Sequence, residues 1–265
     1  MNPLLKHYGL GSVPFGRSTP KGALFRHPGF EEAHRRLRYS AELDTIALLV
    51  AEPGCGKSLL LGEVADELRR EGYSVHYFAH STVGPFGLLN VLARKMGILP
   101  RRSRAETALA ITEHLLGDEA KHLLVIDEGH KLPDASLEDI RLLTISDFDR
   151  ESPFVLLLAG QVLLDERLAE PLHLALDQRI TTVARLLPLS ADETRAYLRT
   201  RLKAAGADNP VFEDGAVDAL YDAAGGVPRR INSLATASLI VAAARKRRIV
   251  NAQDVKDAQL DRGRP

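Results

Sequence analysis

The sequence predicts an α/β fold: a five-stranded parallel sheet flanked by helices, followed by a small all-helical domain. Three observations carry that expectation. Five short apolar or alternating runs, at 45–50, 73–79, 122–127, 154–160 and 181–189, have the length and composition of strands. Stretches with apolar residues at helical spacing alternate with them, the pattern of right-handed βαβ units and of a sheet covered on both faces. After residue 189 the strands stop and helical stretches follow.

Residues up to about 21 are rich in Gly and Pro and read as an irregular arm, taken as 1–28. GFEEAHRRLRYSAE (29–42) has helical charge and apolar spacing. TIALLV (45–50) is a buried-strand run leading to Glu-Pro-Gly, and SLLLGEVADELRREG (58–72) is helical up to a stop at Gly72. YSVHYFA (73–79) alternates as a strand does. Helices are expected at 85–96 and 104–116, split by GILPRRS. HLLVID (122–127) and FVLLLAG (154–160) are continuous apolar runs, and TTVARLLPL (181–189) is the fifth strand. Beyond it, SADETRAYLRTRLKAAG opens with Ser190 and Glu193, the spacing of a capping box. EDGAVDALYDAAGG, PRRINSLATASLIVAAARKRR and NAQDVKDAQL complete the helical part, the last with a looser Asn251/Asp254 cap. The domain division is therefore 29–189 for the α/β part and 190–265 for the helical part.

The bulk numbers exclude several classes. The 265 residues are 45% hydrophobic and 26% charged, as in ordinary globular proteins. The formal net charge is +0, so no global field draws the chain to DNA or to a membrane, and such binding needs a local patch. Cys55 is the one cysteine, which rules out an internal disulfide and suggests a reducing compartment. The N-terminus has no signal-peptide pattern, and no apolar run approaches the roughly 20 residues a bilayer span needs. A cytoplasmic protein without a membrane partner is expected.

The chemistry is concentrated in AEPGCGKS. A phosphate loop needs a strand, a tight turn with inward-facing backbone N–H groups, and a helix whose N-terminus faces the phosphates. TIALLV, AEPGCGKS and the following helix supply that order. Glu52, Pro53, Gly54, Cys55, Gly56, Lys57, Ser58 and Leu59 are the candidate nucleotide-binding residues. Lys57 would meet the β- and γ-phosphates and Ser58 would hold Mg²⁺. Ala51 stands where the motif has its first glycine, which is tolerable only if its φ is negative. Cys55 reads as a small filler residue, with a redox role as the alternative. HLLVIDEGH ends a strand in two carboxylates: Asp127 would help hold Mg²⁺ and Glu128 would polarise the attacking water. His130 reads as lining the loop rather than as a base.

AEPGCGKS, LLVIDEGH, LLLAGQ, LDQRI and GGVPRRIN occur in the order seen in AAA+ ATPases. HYGLGSVPFGRS and the segment ALFRHPGFEEAHRRLRYSAE that follows resemble the ExeA-like group, which includes transposition regulators such as TniB, TnsC and MuB. That resemblance implies ATP and Mg²⁺ as ligands and hydrolysis of ATP. It implies a sensor at Gln161, an arginine finger at Arg179 acting on a neighbouring subunit, a second sensor at Arg229 in a helical lid, and Pro14 and Phe15 near the adenine. It also implies assembly with copies of itself into a ring or filament on duplex DNA, with a transposase and a target-selecting adaptor as partners. Lys95, Arg101, Arg102 and Arg104 are the DNA-facing candidates, with RKRR (245–248) a second basic stretch. Two other readings stay open: a secretion or envelope-assembly ATPase acting on protein, and a nucleotide-dependent scaffold that does not hydrolyse.

Overall fold

The computed structural model describes residues 2–16, 24–79, 87–145, 152–261 and 263. In chain order its first elements are α1 (Pro3–Tyr8), α2 (Pro28–Glu42), β1 (Ile46–Ala51), α3 (Lys57–Arg70), β2 (Ser74–Phe78), α4 (Gly87–Lys95) and α5 (Arg104–Gly117). There follow β3 (His122–Ile126), a 3-10 turn (Gly129–Lys131), α6 (Asp134–Leu143), β4 (Val155–Gly160), α7 (Val162–Leu168), α8 (Leu174–Asp177) and β5 (Ile180–Leu186). The last four are α9 (Ala191–Ala204), α10 (Asp214–Ala224), α11 (Pro228–Ala244) and α12 (Ala252–Asp261). The chain divides into two compact units, Pro28–Leu186 and Met1–His27 with Leu187–Pro265.

The first unit is the α/β one. Its strands form one parallel sheet in the order β2-β3-β4-β1-β5. Position in the sheet explains composition. β1, β3 and β4 are internal strands buried along their whole length, and they are the continuous apolar runs IALLVA, HLLVI and VLLLAG. β2 and β5 are the edges, and there buried and exposed positions mix. The core between sheet and helices includes Leu48, Phe78, Leu89, Ile111, Leu124, Ile140 and Leu156.

Differences from the expected elements have local causes. β5 ends at Leu186 rather than at 189, because Leu187 is exposed and Pro188 has no N–H for a ladder. The expected helix at 85–96 begins outside the described residues and is seen as α4 from Gly87. α6, α7 and α8 were not anticipated. α6 does bury Leu137, Ile140 and Leu143 at helical spacing, but α7 and α8 are too short for a periodic pattern to register.

The second unit is helical. Ser190 and Glu193 form the expected capping box at α9, and the Asn251 and Asp254 side chains cap α12 reciprocally, at 3.0 Å and 3.2 Å. The N-terminal segment, expected as an irregular arm, is instead part of this unit and begins with a helix. Asn2 caps α1 by accepting from the Leu4 N–H, Pro3 occupies the first turn, and Gly9 closes it in the left-handed region. Arg201 of α9, almost fully buried, donates to the carbonyls of Pro14 (2.8 Å) and Gly16 (3.2 Å). Gly226 is required to be glycine: its φ is +69°, and a Cβ there would lie 2.0 Å from the Leu189 carbonyl oxygen. Half of RKRR is engaged within the unit, since Arg245 and Arg247 both pair with the buried Asp254.

On the α/β unit, His76 of β2 meets His122 of β3, with Nε2 3.2 Å from Nδ1, and the His114 ring lies 5.9 Å from that of His122. Burial, then the neighbouring imidazoles, push His76 down to about 4; burial also pushes His122 down. A histidine whose folded pKa is lowered binds its proton more readily when unfolded. Stability should therefore be complete above the unfolded value of about 6.5 and fall as pH drops toward 4. Denaturant midpoints measured between pH 7.5 and 4.5 should decline, and His76→Phe should shrink the decline.

Candidate nucleotide-binding site

The sheet order brings the site together. β1 and β3 flank β4, so the segments leaving their C-terminal ends are neighbours. The loop after β1 carries Lys57 and Ser58, the segment after β3 carries Asp127 and Glu128, and the residue after β4 is Gln161.

β1 runs through Ala51, which pairs with Leu186 of β5 and is buried. Among the described residues the positive-φ non-glycines are Asp44, Glu128 and Lys246, so Ala51 has no left-handed strain. The turn is made by Gly54 and Gly56, with φ of +95° and +101°, values that an L side chain rarely adopts. Glu52 and Pro53 are exposed, the Cys55 N–H donates to the Glu52 carbonyl at 3.3 Å, and the Cys55 side chain is buried. Gly56 caps α3, whose first residue is Lys57. Lys57 is buried, whereas Ser58 and Leu59 are exposed.

Asp127 is the centre of the polar cluster, 2% exposed. Its Oδ2 accepts from Ser58 Oγ at 2.7 Å and Tyr77 OH at 3.3 Å; its Oδ1 accepts from the Glu128 N–H at 2.7 Å and lies 3.2 Å from Lys57 Nζ. Lys57 Nζ also donates to Glu128 Oε1 at 2.9 Å, and Lys131 Nζ lies 2.9 Å from Glu128 Oε2. Partial burial works to raise the Glu128 pKa, but hydrogen bonds from Lys57 and Lys131 outweigh it and hold the carboxyl at about 2. Burial and then the Asp127 charge push Tyr77 up to about 12, so its hydroxyl stays a donor. The backbone carrying Glu128 is left-handed, φ +58°. Two contacts brace it: the His130 Nδ1 accepts from the Gln161 N–H at 3.4 Å, and Arg167 of α7 donates to the carbonyls of His130 (2.9 Å) and Leu132 (3.0 Å). Burial lowers the His130 pKa, which suits a neutral ring lining the loop.

The cluster fits a nucleotide with a hard cation. A hydroxyl and a carboxylate oxygen stand side by side, the donor chemistry Mg²⁺ takes when phosphate and water complete its shell. Among the described residues no group of three or more His, Cys, Asp or Glu side chains could hold a metal by itself.

Other expected residues lie elsewhere. Arg179 precedes β5, whose first residue pairs with the first residue of β1. It therefore sits at the opposite end of the strands from the phosphate loop, roughly 20 Å away at about 3.3 Å per residue. Arg229 is exposed in the first turn of α11, and Phe15 packs edge-on to Phe212 in the core of the helical unit. Lys95, Arg101 and Arg102 are exposed. Arg104 corrects the expectation of a free basic face: its guanidinium pairs with the buried Asp139 at 2.5 Å and so ties α5 to α6. Tyr77, Lys131 and Arg167 were not anticipated. Only Lys131 had a visible signal, three residues after Glu128 in a tight turn.

The fold is that of AAA+ P-loop proteins, with the phosphate loop at the strand ends. The family model of the AAA domain matches residues 41–168. General secretion pathway protein A of Aeromonas hydrophila is 32% identical over 245 residues, 90% of this chain and 44% of that protein, so the chain spans less than half of this curated relative. Solved structures share the fold. Cdc6p of Pyrobaculum aerophilum has a TM-score of 0.75 at 20% identity, over 94% of this chain and 70% of that one. Aeropyrum pernix ORC1 in complex with DNA gives 0.69 at 20%, over 91% and 67%. The Thermotoga maritima RuvB branch migration motor gives 0.58 at 19%, over 87% and 68%.

Because the close approach is supplied by Gly54 and Gly56, Ala51→Gly should leave nucleotide affinity within about threefold while costing about 0.5–1 kcal/mol of stability for the added strand glycine. Calorimetric titration with ATP and a denaturant curve check both. A gain in affinity of about tenfold would show that the natural loop is strained.

Proposed function

We propose that this chain binds ATP with Mg²⁺ at the phosphate loop and hydrolyses it, and that it works as an ExeA-type assembly ATPase acting on a protein partner. One observation carries the hydrolytic part: Lys57, Ser58, Asp127 and Glu128 converge from two strand ends within hydrogen-bond reach of one another. Lys57 would engage the β- and γ-phosphates, with the backbone N–H groups of 54–58 around them. Mg²⁺, held through Ser58 and Asp127, would neutralise charge on the phosphate oxygens. Glu128 would take a proton from water as the water oxygen bonds to the γ-phosphorus and the bond to the bridging oxygen breaks, giving ADP and phosphate. Gln161, beside the same strand ends, would sense the γ-phosphate. Arg229, Pro14 and Phe15 are further residues proposed for nucleotide binding.

Arg179 is proposed to act on a neighbouring copy in a ring or filament. Its place at the far end of β5 argues against action on the chain's own nucleotide. The protein-directed reading draws support from the secretion-pathway relative. A second reading, an ATP-dependent regulator of transposition on duplex DNA, draws support from the exposed Lys95, Arg101 and Arg102 and from a fold shared with an ORC1 solved with DNA. In that reading a transposase is the partner.

Glu128→Gln should keep ATP but lose hydrolysis by about 10²-fold or more, the usual worth of a positioned base. Lys57→Ala should lose nucleotide. ATP binding and phosphate release measured on both variants check this, and normal turnover by Glu128→Gln would remove the assigned role. A salt titration of duplex-DNA binding with ATP and with ADP separates the partners: ATP-dependent, salt-sensitive binding favours the transposition reading, and none at low salt favours the protein-directed one.

A further inference from the structure

α5 has two opposite faces. Thr107, Ile111 and Leu115 recur four apart and are buried, the last two in the core between sheet and helices. At about 100° per residue, Glu106, Leu109, Glu113 and Leu116 fall on the side turned away from them. Leu109 is 59% exposed and Leu116 50%. Their spacing of three, four and three residues is that of a heptad seam, with leucines at one core position and glutamates at the other. Beside it lies an open concavity of about 340 Å³ lined by Arg101, Glu106, Leu109, Ala110 and Glu113. Glu106 accepts from the Ser103 N–H at 3.3 Å and is exposed; among the described residues the Glu113 carboxylate has no ion pair. The seam therefore offers apolar and anionic groups in alternation, and both kinds face solvent.

We propose that this face of α5 is a docking surface for an amphipathic helix of a protein partner, one that carries leucines seven apart with lysine or arginine at the core positions between them. Its leucines would pack around Leu109 and Leu116, and its cations would meet Glu106 and Glu113 while their apolar stems lie along the leucines. Arg101, just before α5 begins, would take a carboxylate at the matching end of that helix. Charge argues against the other occupants. A second copy using the same seam would set glutamates against glutamates if parallel, or bury them against leucines if antiparallel. Nucleic acid and anionic lipid would meet two like charges on this face. The inference deepens the protein-directed reading, since it names where, and by what chemistry, such a partner is held.

The test titrates the full chain into two labelled synthetic peptides of roughly three heptads and reads fluorescence anisotropy. Both peptides carry leucine at one core position and alanine outside the seam; the other core position is lysine in one and glutamate in the other. The lysine peptide should bind at least about tenfold more tightly than the glutamate peptide, and added salt should narrow the gap. Leu109→Gln and Leu116→Gln should each weaken the lysine peptide roughly three- to tenfold. Glu113→Lys should weaken the lysine peptide and strengthen the glutamate peptide, a gain that an unfolded chain cannot give. Equal binding of the two peptides, leucine variants that bind as the parent does, or no binding of the lysine peptide would overturn the proposal. Self-association of the parent that Leu109→Gln abolishes would assign the seam to a second copy and overturn it too. The two failures read differently. No lysine-peptide binding by a chain that hydrolyses ATP and ignores duplex DNA removes the docking surface alone, whereas ATP-dependent DNA binding removes the protein-directed reading and leaves the peptide result to decide the seam.

Discussion

A carboxylate buried in a protein interior is costly unless its lone pairs are filled, and Asp127 is buried at the C-terminal end of β3. Its four partners come from three places: Ser58 and Lys57 in α3, Tyr77 in β2, and the Glu128 backbone. Removing Lys57 would leave the Asp127 charge without the nearby ammonium. The need to satisfy this one group couples the phosphate loop to the neighbouring strand end. The same contacts fix the Lys57 ammonium and the Ser58 hydroxyl at the spot where the proposed chemistry needs them.

Around that group the loop after β3 is held in a conformation it would not choose alone. Glu128 has a left-handed backbone, tolerable for a non-glycine residue only when neighbours determine it. Arg167 and the Gln161 N–H supply that determination from the β4–α7 segment. The result is a carboxylate whose direction is set by contacts from outside its own turn, and whose charge is balanced by lysines before and after it in sequence.

The helical unit solves a different problem. It gathers Leu4, Tyr8, Phe15 and Phe25 with residues from Leu189 onward around one core, so the two segments depend on each other. The buried Arg201 is compensated by backbone carbonyls of the N-terminal segment, and the Leu189–Gly226 contact leaves no room for a side chain. Two of the four cations of RKRR pair with Asp254, as Arg104 does with Asp139, which shows why a run of positive charges in a sequence is a poor measure of free positive surface.

The sequence by itself determined the parallel α/β sheet, the helical continuation, the phosphate loop and the acidic pair. Each of these is written in local spacing: continuous apolar runs for internal strands, helical periodicity for crossovers, glycines where φ must be positive, carboxylates directly after a strand. The tertiary structure decided what local spacing does not encode. It settled that Ala51 belongs to a strand rather than to the strained part of the loop, because β5 pairs with it. It gave Arg104 to α6, drew the N-terminal segment into the helical unit, and set Arg179 at the end of the strands away from the phosphate loop. It brought Tyr77, Lys131 and Arg167 to the acidic pair. The physical reason is the same throughout: backbone conformation and burial periodicity are properties of neighbours in the chain, whereas a charge's partner is whichever opposite group the packed fold brings within about 3 Å of it.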